Sequence, residues 1–167
     1  MEPIKVLLMT SDGDRHRYAA NVLSSYFQLC GIVVERKASL TSHLDNYSNR
    51  IDGVAETHFR ERQDVEHKLL DNFESYPQNV QLLGVENGNS NSSEVFEWVR
   101  NRTPDIVVLY GTSIIKSPLL DYYENRMINI HLGLSPYYRG SGTNFWPLVD
   151  GLPECVGATI HLASIKV

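Results

Sequence analysis

The segment Asp105-Ile-Val-Val-Leu-Tyr110 is the clearest indication of how this chain folds. It is a short, continuous apolar run, which is typical of a strand that is buried on both faces of a sheet. A second run of this kind, Ile4–Met9, ends at a Thr-Ser-Asp-Gly segment. Helices that cross between parallel strands cover a sheet on both faces in this way. The two runs therefore predict an interior, parallel sheet.

Segments with helical periodicity alternate with further strand-like segments along the chain. Helices are predicted at residues 17–29, 59–73 and 94–102, with a helical turn at 117–120 and a helix capped by Thr143 that carries Pro147 in its first turn. Strands are predicted at residues 32–34, 80–85, 127–132 and 156–162. Gly31 is expected to close the first helix, and residues 38–58 are expected to form an irregular loop. This order predicts one α/β domain over residues 1–167, Rossmann-like, with a mostly parallel twisted sheet and helices on both faces.

The composition is that of an ordinary globular protein, and it argues against several functional classes. The 167 residues carry a net charge of −5, so nucleic acid, which requires a basic surface, is not an expected partner. No apolar segment approaches the roughly 20 residues of a membrane span, so no membrane partner is expected. Cys30 and Cys155 lack metal-ligand spacing, and no metal site is predicted. No signal peptide is visible, and we expect a cytoplasmic protein with buried, reduced thiols.

A polar pair lies in the segment Met127-Ile-Asn-Ile-His-Leu-Gly-Leu-Ser-Pro-Tyr-Tyr-Arg-Gly140. Side chains two residues apart on a strand point to the same face, so Asn129 and His131 project together. An amide can donate to an oxygen that gains negative charge, and an imidazole can move a proton at neutral pH. The pair therefore suits acyl transfer. The alternative is that Asn129 caps the strand end and His131 is structural, which an isolated Asn-x-His pair would favour.

Several motifs in a fixed order add to this pair. They are Pro104-Asp-Ile-Val-Val-Leu-Tyr-Gly111, Ser117-Pro118, Asn129-Ile-His131, Ser135-Pro136, Arg139-Gly140, Gly142 and Gly157-Ala-Thr-Ile-His161. Together they resemble the folate-dependent formyltransferases, a family that includes glycinamide ribonucleotide transformylase, methionyl-tRNA formyltransferase and the sugar N-formyltransferases. The resemblance is good over residues 104–162 and weaker before them. Spaced motifs in the right order are more specific than any one of them alone.

The resemblance implies an enzyme that moves a formyl group from 10-formyltetrahydrofolate to an amine. By position, Asn129 would hold the oxyanion of a tetrahedral intermediate, and His131 would transfer a proton. His161 also matches a position near the site in this family, where it would either support the catalytic residues or act as one of them. The turn that would form the pterin pocket consists of Gly111, Thr112, Ser113, Ile114 and Ile115. The alternative for this turn is a plain strand-to-helix connection whose isoleucines belong to the core.

The segment after the first strand differs from that of the transformylases acting on glycinamide ribonucleotide. Those enzymes carry a Gly/Ser-rich phosphate loop, whereas this chain has Thr10-Ser-Asp-Gly-Asp-Arg-His-Arg-Tyr18. Arg15, His16 and Arg17 lie at a helix start, where free N–H groups and the helix dipole favour anions. They could hold the phosphates of an acceptor, or they could be a solvated helix start. Arg139 could bind an anionic substrate, or it could pin its own loop through carbonyl groups.

We therefore expect an N-formyltransferase whose acceptor is a small-molecule amine, with a nucleotide-linked amino sugar as the first choice. The alternatives are a 10-formyltetrahydrofolate hydrolase and a catalytically incomplete folate- or anion-binding module. The family's catalytic Asp follows the last strand, but no carboxylate occurs between His161 and Val167. We expect a sequence truncated at its C-terminal end, the alternative being a degenerate homologue. A dinucleotide-binding domain is disfavoured because no G-x-G-x-x-G follows the first strand.

Overall fold

The computed structural model describes residues 2–37, 53–140 and 142–164. The strands in these ranges are β1 (Lys5–Ser11), β2 (Gln28–Glu35), β3 (Leu82–Val85), β4 (Ile106–Tyr110), β5 (Met127–His131) and β6 (Thr159–Leu162). The helices are α1 (Asp14–Tyr26), α2 (Val54–Leu69), α3 (Ser93–Arg100), α4 (Leu119–Tyr122) and α5 (Trp146–Val149). Short 3-10 turns occur at Asp71–Phe73, Asn89–Asn91 and Pro153–Cys155.

The six strands form one sheet in the order β3-β2-β1-β4-β5-β6. Strands β1 to β5 are parallel, and β6 pairs with β5 in the antiparallel direction. Strands β2 and β3 lie on one side of β1, and the chain then returns to place β4, β5 and β6 on the other side of β1. In such sheets the loops diverge beyond the carboxyl ends of the strands, where α/β proteins bind their ligands. The predicted mostly parallel α/β fold is confirmed.

The sheet separates two apolar clusters. On one face, α3 and α4 pack against alternate residues of the central strands, and on the other face α1 packs against the intervening residues. Val107 and Leu109 belong to the first cluster, and Val108 and Tyr110 belong to the second. This alternation is that of a strand buried on both sides, so helices cover both faces as predicted. No helix in the described ranges has the length and hydropathy that crossing a bilayer requires.

The first helix begins and ends earlier than predicted. α1 covers Asp14–Tyr26, and the expectation that Gly31 closes it is wrong because Gly31 lies inside β2. A Cβ atom on this glycine would lie 2.6 Å from Cδ of Arg102 and 2.8 Å from the ring of Trp98. Gly31 therefore allows the residues at the end of α3 to lie directly on β2.

The loop predicted over residues 38–58 is wrong at its C-terminal end. Residues 38–52 lie outside the described residues, but α2 already begins at Val54 rather than at Phe59. The ring of His58, in this early part of the helix, lies 4.8 Å from the ring of Phe145. This tertiary contact, rather than an apolar stripe, holds the first turns of α2, so the sequence pattern gave no sign of them.

The start of α3 is capped by a serine, because Oγ of Ser92 accepts from the backbone N–H of Val95 at 3.3 Å. The cap predicted at Thr143 is wrong. Thr143 does not cap α5, because that helix starts after Phe145. Pro147 does lie in the first turn of α5, as predicted.

Candidate active site

The polar pair on β5 lies opposite two polar residues of β6. Asn129 faces His161, and His131 faces Thr159. Directly opposed residues of antiparallel strands project to the same side, so the four side chains form one polar patch. Ile130 packs with the apolar cluster on the other side of the sheet. The structure therefore brings Asn129, His131 and His161 together, as the sequence pattern suggested.

Asn129 is oriented by His161. Nδ2 of Asn129 lies 3.1 Å from Nε2 of His161, and Nδ1 of His161 lies 3.0 Å from the carbonyl oxygen of Leu162. A carbonyl only accepts hydrogen bonds, so Nδ1 carries the hydrogen and Nε2 accepts from the Asn129 amide. The second N–H of that amide remains a donor for another oxygen.

His131 is oriented by the loop that follows β5. Its Nε2 atom lies 3.1 Å from the carbonyl oxygen of Tyr138, so Nε2 carries the hydrogen and Nδ1 keeps a lone pair. Thr159 ties this loop to β6. Its hydroxyl donates to the carbonyl of Gly133 at 2.7 Å and accepts from the N–H of Ser135 at 3.0 Å. The patch thus presents a free amide N–H and an imidazole lone pair, which can stabilise an oxyanion and accept a proton.

A buried carboxylate anchors the predicted pterin turn. Glu35, at the end of β2, is 0% exposed and accepts hydrogen bonds from the N–H of Gly88 at 2.6 Å and from Oγ of Ser90 at 2.9 Å. It also accepts from Oγ1 of Thr112 at 2.9 Å and from the N–H and Oγ of Ser113 at 2.7 and 2.5 Å. Burial by itself raises the pKa of this carboxyl, but the hydrogen bonds from Ser113, Gly88 and Ser90 outweigh it and lower the pKa to about 2. Glu35 is therefore ionised at neutral pH and joins the loops that follow β3 and β4.

The two isoleucines of this turn lie in different surroundings. Ile115 is 6% exposed and belongs to the apolar core, which was the alternative left open by the sequence. Ile114 is 82% exposed. The side chain of Asn91 fixes the backbone here, donating to the carbonyl of Ile114 at 2.9 Å and accepting from the N–H of Lys116 at 2.6 Å. Ile114 is therefore the isoleucine that can contact a ligand.

His16 does not contribute the positive charge that was predicted for the start of α1. It is 3% exposed, its Nδ1 lies 2.9 Å from Oγ1 of Thr10, and its Nε2 lies 3.2 Å from Oγ of Ser11. Burial, followed by the charge of Arg15, lowers the pKa of His16 to about 3. Gly111 packs against this ring, because a Cβ there would lie 2.5 Å from Cε1 of His16. The prediction is wrong for His16, since tertiary burial makes the ring neutral.

Arg15 and Arg17 point to different partners. Arg17 forms ion pairs with Asp12 at 2.7 Å and with Asp14, so its charge is neutralised locally. Arg15 instead reaches α2, where its Nη1 lies 2.9 Å from Oε1 of Glu66. The three residues do not form one cationic cluster. A substrate contact of Arg15 or Arg17 stays a prediction.

Arg139 is exposed in the loop after β5. Within the part of the chain that the structure describes, it makes no hydrogen bond or ion pair, so pinning of its own loop finds no support there. Its contact with an anionic substrate stays a prediction. Among residues 2–37, 53–140 and 142–164, no three His, Cys, Asp or Glu side chains are grouped as metal ligands. Cys30 and Cys155 are free and half-buried rather than fully buried.

Four charged residues at the carboxyl end of the sheet were not predicted from the sequence as site residues. They are Glu35, Lys37, Arg62 and Glu66. A carboxylate that ends a buried apolar strand, as Glu35 does, is a signal that could have been used, because such a group needs several donors. The spacing of Arg62 and Glu66 places them on one face of a helix, but it does not show what that face contacts.

Most of the chain matches one protein family. Residues 48–166 match the sequence profile of the formyl transferase family. Methionyl-tRNA formyltransferase from Finegoldia magna is 37% identical over 76 residues, which are 44% of this chain and 24% of that protein. GDP-perosamine N-formyltransferase from Brucella melitensis is 30% identical over 73 residues, which are 43% of this chain and 28% of that protein. The alignments thus span about a quarter of the length of these relatives.

Solved structures share the fold. Phosphoribosylglycinamide formyltransferase from Anaplasma phagocytophilum superimposes with a TM-score of 0.65 at 15% identity, over 99% of this chain and 67% of that chain. A formyltetrahydrofolate deformylase from Pseudomonas syringae gives a TM-score of 0.59 at 17% identity, over 98% of this chain and 47% of that chain. At such identities the likeness concerns the fold alone. Because the family profile matches well over half of its residues, the chain belongs to the formyl transferase family.

Proposed function

We propose that this domain transfers a formyl group from 10-formyltetrahydrofolate to the amine of a small molecule. The polar patch on β5 and β6 carries the proposal, because Asn129 keeps a free N–H and His131 keeps a free lone pair on one face. Formyl transfer needs these two functions. One group must stabilise the oxygen that gains negative charge, and another must take the proton of the amine.

The turn after β4 fits a folate. Its backbone is held by Glu35 and Asn91, so its N–H and C=O groups keep fixed positions before a ligand arrives. Ile114 adds an exposed apolar side chain. A planar ligand with polar edges needs such a combination of an apolar contact and fixed backbone groups. When bound, 10-formyltetrahydrofolate supplies the electrophilic formyl carbon.

Asn129 and His131 have different roles in the proposed reaction. Asn129 donates to the formyl oxygen while the amine nitrogen bonds to the formyl carbon. His131 accepts, through Nδ1, the proton that the amine loses. It then returns a proton to N10 of the folate as the bond between the formyl carbon and N10 breaks. The products are a formamide and tetrahydrofolate, so atoms and charges balance.

We propose a nucleotide-linked amino sugar as the acceptor. The relative from Brucella melitensis is named for GDP-perosamine, whereas the relative from Finegoldia magna is named for methionyl-tRNA. The net charge of −5 opposes extended contact with tRNA, which depends on many phosphate contacts. A nucleotide sugar requires only a local cationic site. The test compares kcat/KM for amino-sugar nucleotides, glycinamide ribonucleotide and methionyl-tRNA, and a preference for either of the last two would refute this choice.

His131 is expected to control the pH dependence of the reaction. If it is the base, kcat/KM falls as the pH is lowered and the imidazole becomes protonated, since the proton acceptor is then lost. His131→Asn keeps a polar side chain but cannot titrate. We expect this acid limb of the kcat/KM profile to disappear in the variant, together with most of the activity. An unchanged acid limb in His131→Asn would assign the proton transfer to another group.

Gly133→Ala is expected to lower kcat by at least about 10-fold, because it displaces the His131 imidazole. A Cβ at this position would lie 2.7 Å from Nε2 of His131 and 2.6 Å from Cβ of Thr143. Gly157→Ala is the matched control, since its Cβ would meet only Leu134, at 3.6 Å. Steady-state kinetics of the two variants check the prediction. Equal effects of the two substitutions would contradict it.

A further inference from the structure

The loop between β5 and α5 contains a side-chain hydrogen bond that joins its middle to the end of the helix. Oη of Tyr138 lies 3.0 Å from Oδ2 of Asp150, and the two residues are 12 positions apart in the chain. A carboxylate only accepts hydrogen bonds, so the phenol of Tyr138 is the donor. A hydrogen bond to a charged acceptor is stronger than one between neutral groups. The contact therefore fixes Tyr138 relative to α5.

Asp150 extends from a fixed part of the fold, although it is itself exposed. Its backbone N–H donates to the carbonyl of Trp146 at 2.9 Å, in the last turn of α5. The start of this helix is held by apolar contacts, since Phe145 and Pro147 are buried. The ring of Phe145 also lies 4.8 Å from the ring of His58 on α2. The Asp150 carboxylate is thus a suitable point to which a loop can be tied.

Three groups of Tyr138 make hydrogen bonds, and one of these bonds reaches the polar patch. Its backbone N–H donates to the carbonyl of Leu134 at 3.0 Å, and its hydroxyl donates to Asp150. Its carbonyl oxygen accepts from Nε2 of His131 at 3.1 Å. This last bond places the hydrogen on Nε2 and leaves the lone pair on Nδ1. The position of the Tyr138 peptide therefore selects the tautomer of His131.

The tautomer depends on this carbonyl in particular. Among the residues that the structure describes, the Tyr138 carbonyl is the one hydrogen-bond partner of the His131 imidazole. Thr159 fixes the first part of the loop, at Gly133 and Ser135, before the chain reaches Tyr138. The hydrogen bond to α5 fixes the part that carries the carbonyl itself.

The backbone between the two bonded residues has little stiffness of its own. Gly140 and Gly142 lie inside this segment, with φ of 88° and 67°. Glycine loses more conformational freedom on ordering than any other residue, so a segment that contains two of them is costly to order. A side-chain hydrogen bond between Tyr138 and Asp150 restricts this freedom.

We infer that Tyr138 and Asp150 are positioning residues that keep His131 in its Nε2–H form, with Nδ1 available to the proton of the amine. This rests on the proposed function, because it states how the base of that reaction is held in its reactive tautomer. The hydroxyl and the carboxylate act through the Tyr138 carbonyl. When their hydrogen bond is lost, the carbonyl moves, and the fraction of His131 with a lone pair on Nδ1 falls. The chemical step then slows, while the substrates bind as before.

Steady-state kinetics of Tyr138→Phe in the protein that carries the domain test this consequence. The substitution removes only the hydroxyl, and we expect kcat to fall on the order of 10-fold with little change in KM. Tyr137→Phe is the matched control, because it removes the same group from the neighbouring residue, which is 78% exposed. It should behave as the wild type.

Variants of Asp150 test whether the two side chains act together. Asp150→Ala should lower kcat as much as Tyr138→Phe does, whereas Asp150→Asn keeps an acceptor oxygen and should retain more of the activity. Two substitutions that remove the same hydrogen bond are not additive. The double variant of Tyr138→Phe and Asp150→Ala should therefore lose no more activity than either single variant.

NMR of the protein with ¹⁵N-labelled histidine measures the tautomer directly, at a pH where the His131 imidazole is neutral. The signals of His131 are those that disappear in His131→Asn. In the wild type and in Tyr137→Phe, we expect Nε2 to carry the hydrogen and Nδ1 to carry none. In Tyr138→Phe and Asp150→Ala, the shifts of the two nitrogens should move towards each other as the tautomers mix.

An unchanged tautomer in Tyr138→Phe would overturn the inference, whether or not the protein transfers formyl groups. Additive losses in the double variant would also overturn it, because they would indicate two independent structural effects. An equal loss of kcat in Tyr137→Phe would do the same. The NMR measurement needs no turnover. If the tautomer changes as expected but the wild type shows no formyl transfer, the proposed function fails and the positioning of His131 stands.

Discussion

Asn129→Ala is expected to lower kcat for formyl transfer by on the order of 10²–10³, which is the usual effect of removing one oxyanion donor. The amide of Asn129 is held by Nε2 of His161 at 3.1 Å, and its second N–H is left as the donor for this oxygen. That oxygen becomes strongly negative only in the transition state. We therefore expect KM to change little, because the ground state gains little from this hydrogen bond.

Initial rates at varied concentrations of acceptor and folate check this prediction in the protein that carries the domain. Asn101→Ala is the matched control, since Asn101 is exposed at the end of α3 and lies away from β5. It should leave kcat unchanged. A loss of less than a few-fold in Asn129→Ala, or a change confined to KM, would contradict the role of Asn129 as the oxyanion donor.

Glu35→Gln is expected to lower the free energy of unfolding by about 3 kcal/mol at neutral pH. The pKa of the carboxyl falls from its usual 4.5 to about 2 in the folded domain, and each unit corresponds to about 1.4 kcal/mol. The hydrogen-bond donors of Gly88, Ser90, Thr112 and Ser113 are arranged around a carboxylate. An amide offers them fewer acceptor sites and adds an N–H where only donors are present.

The same carboxylate gives the stability of the domain a defined pH dependence. Because the pKa of Glu35 is lower in the folded than in the unfolded chain, its contribution is complete above about pH 4.5 and is lost as the pH falls towards 2. Urea unfolding of the wild type and of Glu35→Gln should therefore give free energies that converge on acidification. Glu86→Gln is the matched control at an exposed nearby position, where the ion pair with Arg36 is 3.3 Å long. Parallel curves for the wild type and Glu35→Gln would contradict this role of Glu35.

The sheet and the polar patch could be predicted because both depend on local patterns. The run from Ile106 to Tyr110 is apolar at every position, which only a strand covered on both faces requires. Asn129 and His131 share a face because residues two apart on a strand always do. No knowledge of distant contacts was needed for these conclusions.

The contacts that complete the site could not be predicted, because they join residues far apart in the sequence. Glu35 meets Ser113, and Arg15 meets Glu66, only after the sheet and α2 have formed. His16 shows the opposite effect, since a sequence of three basic residues suggests charge and the fold buries the middle one. Tertiary burial, rather than local composition, decides which of these groups are charged.

The most direct measurement uses 10-formyltetrahydrofolate with an isotope-labelled formyl group, an amino-sugar nucleotide and the protein that carries this domain. Mass spectrometry follows the label into a formamide and into formate. We predict that the label enters the formamide of the sugar nucleotide, and that both Asn129→Ala and His131→Asn strongly slow its appearance. Recovery of the label only as formate, or formamide formation at an unchanged rate in both variants, would contradict the proposal that Asn129 and His131 carry out formyl transfer.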